Sequence, residues 1–344
     1  MKKAICVALF VGVVASVALF AQWPKITDPS VPRDVQGNVG KNAPAPRTAD
    51  GKVDFSGMWL RANSGPLNEG RGRGGRGLGA AGAGAGGGAA VAAPTPERPP
   101  AAAPGGAAGR GGDTGAQAFT GGRGGVTLEP QTNRFPFDPS GPAVATFFEA
   151  GGNIPGGLPY TPWATAIRKQ RFEVDKAKDN PDANCMPMGF LQFHQQPQPR
   201  QIIQTPKMIL IEYEANYGIR HIYLDGRQLP PQGEPQPWWY GYSVGHWEGD
   251  TLVVETNNLR GAEDGPYDGW LDVNGSPYSG QAKFTERFRR PTFDHLQIDV
   301  TLEDPKAYTK PWSVRIDQRF MPDQELIEFI CNENQQFRRR IKID

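Results

Sequence analysis

Cysteine and histidine are both scarce, at three and four in 344 residues. Cys6 lies in the N-terminal apolar run, and neither Cys185 nor Cys331 has a second ligand at a usual zinc spacing, so a metal pair is disfavoured. Charge of one sign is missing too, with 37 Lys+Arg against 36 Asp+Glu. No global field therefore argues for nucleic acid or an anionic membrane as a partner. Beyond residue 20 no stretch approaches the roughly 20 apolar residues of a membrane span. No nucleophile elbow, phosphate loop, dinucleotide fingerprint or H-E-x-x-H helix occurs, and no cofactor or metal is implied.

Glycine and proline are plentiful instead, at 44 and 33, so part of the chain cannot build a core. Met1-Lys2-Lys3 followed by the apolar run Ala4–Phe20 reads as a secretory signal over residues 1–21, cut after Ala21. An uncleaved anchor is the alternative, because Leu19 is not the small residue such a cut prefers. The expected location is periplasmic or secreted, with no membrane span once the signal is removed. In an oxidising compartment Cys185 and Cys331 are expected to form one disulfide, stabilising by about 4 kcal/mol on the chain-entropy model. Free thiols are the weaker alternative.

Residues 22–68 read as an extended segment and a first strand, Val53–Leu60. Gly57 and Trp59 on that strand resemble the opening of lipocalin-like barrels, which implies an indole plugging the closed end. Residues 69–125 are low-complexity Gly/Ala/Arg/Pro sequence with too little apolar surface to offset its ordering entropy, and are expected to be disordered. The Arg-Gly repeats are similar to RNA-binding segments, but without interleaved aromatics they read as a flexible insertion. Residues 126–344 carry the main domain. Thr161 caps a helix near 162–178, with Pro162 at its first position. Trp163, Ile167 and Gln170 or Phe172 form its apolar side.

Trp238–Thr256, WWYGYSVGHWEGDTLVVET, is the most informative stretch. Gly249-Asp250 is a hairpin turn, so Glu248 pairs with Thr251 and His246 with Val253. Strand alternation then puts His246 and Glu255 on one face as diagonal neighbours, a possible acid/base pair. In the preceding hairpin, a loop at Asn216-Tyr217 sets Glu212 against His221, with Tyr223 on the same side. Trp238, Trp239 and Tyr240 are either a stacking platform for a sugar or flat ligand or a cover for the core. The polar loop Asn258–Ser279, with Asp264, Asp268 and Asp272, fits turn chemistry better than a calcium loop. Glu286 shares a row with Phe284 and Phe288, so its carboxylate must be paired, hydrogen-bonded or neutral. An arginine from a neighbouring strand is the plain expectation. Trp312, Val314, Ile316, Gln318 and Phe320 share one face of a late strand, and further strands are expected at Glu325–Cys331 and Gln336–Ile343.

About ten short strands with one helix argue for a mainly β fold, an antiparallel up-and-down barrel of calycin or lipocalin type with a packed helix. The chain also resembles a family of secreted bacterial proteins sharing Asp225-Gly226-Arg227, Gly241–Thr256, Thr285–Phe288 and Cys331–Asn334. That resemblance spans Pro159–Asn334 and implies no reaction. The expected function is binding of a small molecule or sugar, with Trp238, Trp239, Tyr240, Glu212 and Tyr223 as ligand contacts. The alternatives are an acid/base hydrolase, lyase or isomerase on a glycoside or similar ring, using His246, Glu255, His221 and Glu286, or a structural envelope protein.

Overall fold

In the computed structural model the described residues are 27–62 and 140–331, with Phe135 and Asp138. The expected signal, the insertion at 69–125 and the final strand at 336–343 lie outside them. Nine strands close into a barrel. In order around it they are β1 (Gly57–Arg61), β3 (Arg200–Gln204), β4 (Met208–Tyr213), β5 (Gly218–Tyr223), β6 (Tyr242–Glu248), β7 (Thr251–Asn257), β8 (Lys283–Thr292), β9 (His295–Glu303) and β10 (Trp312–Phe320). Closure comes from β10 pairing back onto β1, Trp59 opposite Phe320. β2 (Ala143–Val144) runs parallel to β10 beside Val314 and Arg315.

Neighbouring strands of the nine-stranded barrel are antiparallel except β5 and β6, which pair in parallel with Ile222 opposite Ser243. The connection from Leu224 to Gly241 is long enough to carry the chain back to the end from which it came, so the up-and-down order is interrupted once. The central hairpin has the expected register, Glu248 opposite Thr251 and His246 opposite Val253. The β4–β5 hairpin differs: Glu212 pairs with Ile219, and His221 with Leu210. A turn of 3₁₀ type at Ala215–Tyr217 lengthens the loop, and the shift of two residues leaves every side chain on its expected face.

One continuous set of alternating residues points inward. It runs Ile209 and Ile211, Ile222, Leu252 and Val254, Phe284 and Phe288, Ile298 and Val300, Val314 and Ile316, all 3% exposed or less. Trp59 is fully buried toward one end, its indole NH donating to the Phe55 carbonyl and its ring set against Phe320 and the Arg290 guanidinium.

The helix α1 (Pro162–Lys169) begins at Thr161, whose hydroxyl accepts from the Ala164 amide, and continues as a π turn over Gln170–Val174. That turn shifts the helical phase. Arg171 consequently goes inward, donating to the Gly269 and Asp268 carbonyls and lying over Trp270, while Phe172 stays 44% exposed. The helix stops at Val174, short of the expected 178. Glu325–Ile330 carries no ladder pairing. Cys185 and Cys331 form the disulfide, with α-carbons 5.5 Å apart.

Candidate functional site

Part of the barrel interior is occupied by its own chain. Residues Met188–Gln196 enter before β3 with side chains 2% exposed or less, and Gln192–Gln195 coil into one helical turn, α2. The sequence Phe190-Leu191-Gln192-Phe193-His194-Gln195 mixes aromatics with amides, and the barrel wall mirrors that mixture. Phe190 stacks on Phe284 with ring centres 4.0 Å apart, and Phe193 packs on Tyr213 and Tyr240. These aromatics make one side of the interior apolar.

At the centre the plug meets a charged group. Glu286 and Arg220, both fully buried, form a two-pronged ion pair, and His194 Nε2 lies 2.8 Å from Glu286 Oε1. Arg220 also donates to the hydroxyls of Ser243 and Thr256. Burial alone would raise the Glu286 carboxyl, but the charge of Arg220 and the hydrogen bonds from His194 and Arg220 hold it down to about 2. Burial pushes His194 down to about 4 against the pull of Glu286. At neutral pH the imidazole is therefore uncharged and donates from Nε2, leaving its buried Nδ1 without a partner.

The other side of the interior is polar. Arg61 on β1 donates to the Gln195 carbonyl, and Arg200 on β3 to the carbonyls of His194, Gln196 and Gln198. Two guanidinium groups thus cap the carbonyl end of α2. Gln318 stands opposite Arg61 on β10. Gln195 is 1% exposed and Gln318 0%, yet among the described residues both amide atoms of each lack a hydrogen-bond partner. With Gln196 Nε2, Gln198 Oε1 and Arg200 Nε, seven of the fifteen unpartnered buried side-chain atoms among the described residues gather at this wall.

The sequence-derived candidates do not converge. His246 and Glu255 share a face as expected, but it is the outer one. His246, 57% exposed, lies near Glu248, and Glu255 pairs with Lys283. His221 is also exposed on the outside, stacked beside Tyr223. Of the four proposed acid/base residues only Glu286 faces inward, and its arginine comes from β5 rather than from a neighbouring strand. The three consecutive aromatics diverge: Trp238 packs on Tyr242 outside, Trp239 lies under Arg260, and Tyr240 turns inward onto Phe193. They form no common platform. Tyr223 is outside, covered by Arg227 at 3.7 Å. Glu212 lines an open surface cleft of about 240 Å³ with Ile219 and Ile327. A second cleft, about 290 Å³, lies between α1 and the loop carrying Trp270. The loop aspartates serve turns and ion pairs: Asp264 accepts from the Gly261 amide, Asp268 pairs with Arg260, and Asp272 accepts from Ala150 and Ser276.

His194, Arg220, Arg200 and Gln195 are the residues that sequence reading passed over, while Gln318 was placed on the face it shares with Ile316 and Phe320 but given no role. Arg220 carried a signal, because it alternates in phase with Ile222 exactly as Glu286 does with Phe288. Two opposite charges in inward rows of different strands are natural partners. His194 and Gln195 had none, since nothing in periodicity announces a segment that enters the barrel. Comparison with family models, with curated proteins and with solved structures finds no match for the chain.

Proposed function

We propose that this chain is an exported small-molecule-binding β-barrel protein, with its ligand at the polar wall inside the barrel. The observation that carries this reading is the gathering of unpartnered polar atoms on Gln195, Gln196, Gln198, Arg200 and Gln318 in a fully buried region. Buried polar groups are nearly always satisfied, by protein, water or ligand. Seven such atoms at one wall call for a polar occupant. The disulfide Cys185–Cys331 accords with an oxidising compartment.

Acid/base catalysis finds less support. A carboxyl held at about 2 and an imidazole at about 4 are poorly matched to proton transfer near neutrality, and the two are hydrogen-bonded to each other at the centre of the plug. The test is mass spectrometry of the exported protein under non-denaturing conditions, followed by release in organic solvent. A stoichiometric small molecule lost on unfolding is the expected result. A protein that carries none, and whose melting temperature no member of a broad metabolite library raises, would defeat the proposal.

A further inference from the structure

If a small molecule occupies the barrel, as proposed above, the charge of the polar wall selects its class. Arg200 is 1% exposed, and among the described residues its guanidinium donates to backbone carbonyls only. Carbonyl dipoles satisfy its NH groups but do not cancel its charge, and buried charges are ordinarily paired. Glu286, the carboxylate of the inner rows, is already committed to Arg220 and His194. Among the described residues no other carboxylate lies within ion-pair distance of Arg200. Its Nε is buried and unpartnered. Arg61 stands on the same wall, and the two guanidinium charges repel each other.

The amides define the rest. Gln195 and Gln318 each present an unpartnered donor and an unpartnered acceptor. A hydroxyl group both donates and accepts, so an amide facing hydroxyls satisfies both of its atoms. A simple inorganic anion, which only accepts, would leave the amide oxygens unmet. We infer that the polar wall binds a small hydroxylated carboxylate, its carboxylate against Arg200 and its hydroxyls on the Gln195 and Gln318 amides.

The experiment is calorimetric titration of the full, disulfide-bonded chain with glucuronate, gluconate, malate and citrate, with glucose and glycerol as neutral controls. At least one hydroxy acid is expected to bind tenfold or more tightly than either control. Gln318→Leu is expected to weaken that binding at least tenfold while leaving the unliganded melting temperature unchanged or raised, because the Gln318 amide has no hydrogen bond among the described residues to lose. Controls that bind as well as the acids overturn the inferred class but leave the binding reading standing. If none of the six binds while a library member of another class does, the inference falls alone; if no library member binds, both fall. A crystal structure grown with the best binder that shows only ordered water on the two amides also overturns it.

Discussion

Arg220 and Glu286 meet inside the barrel although β6 and β7 separate their strands, and the two hydroxyls between them, Ser243 and Thr256, both accept from the guanidinium. The ion pair is thus a brace across three strand interfaces, and it also fixes the plug through His194.

Removing one end of that brace leaves a buried charge with no partner of opposite sign. Arg220→Met and Glu286→Leu are each expected to cost about 3–5 kcal/mol. The double variant should be far less destabilised than the sum, because neither desolvated charge remains. Urea denaturation of the four proteins closes the cycle. Additive losses would mean that the two residues do not act as a pair.

Acid should unfold the protein in two overlapping stages. His194 has its folded value lowered to about 4 from 6.5, so the unfolded chain takes up the proton first and stability falls as pH drops from 6.5 toward 4. Glu286 is lowered to about 2 from 4.5, so its contribution is complete above 4.5 and is lost as pH falls toward 2. Each stage is worth on the order of 3 kcal/mol. In His194→Gln the upper stage should vanish while the lower one persists, as read from urea midpoints at successive pH values.

Much of the barrel was legible in the chain because alternation is a strong code. Phe284, Glu286 and Phe288 face inward as their spacing requires, and Gly249-Asp250 fixes the central hairpin at the expected register. Alternation assigns residues to two faces, however, without saying which is inside. The face of His246 and Glu255 is the outer wall, where Val253 alone is strongly covered at 4%. The plug was illegible for a different reason. Phe190–Gln196 has neither a strand's nor a long helix's period, and its burial comes from the wall around it.

His246 and Glu255 are therefore expected to behave as surface residues. His246→Ala and Glu255→Ala should each change stability by less than about 1 kcal/mol. They should also leave retention of any small molecule unaltered in the mass-spectrometric assay. A loss of ligand in either variant would return the site to the outer face.

The disulfide joins residues 146 positions apart, tying the segment just before the plug to the chain beyond β10. Cys185→Ser with Cys331→Ser should lower stability by about 4–5 kcal/mol on the chain-entropy model. Reduced wild-type protein should match the double variant in its urea midpoint. A difference of less than about 1 kcal/mol between oxidised and reduced protein would show that the bond constrains little.

Gly189 marks where the plug enters. A β-carbon there would stand 1.9 Å from the Trp270 carbonyl oxygen, a backbone atom that no rotamer change can move. Gly249, in the central turn, makes the opposite demand: its φ of +60° favours glycine, but an added β-carbon meets open space. Comparing the two separates packing from backbone strain. Gly249→Ala should cost about 1 kcal/mol, the usual penalty for a left-handed alanine. Gly189→Ala must displace either the plug or the Trp270 loop, so its cost should reach about 3 kcal/mol, the upper end for overpacked sites. Thermal melts rank the pair directly. If Gly249→Ala proves the more harmful, the close approach of Gly189 to Trp270 is not what seats the segment in the barrel.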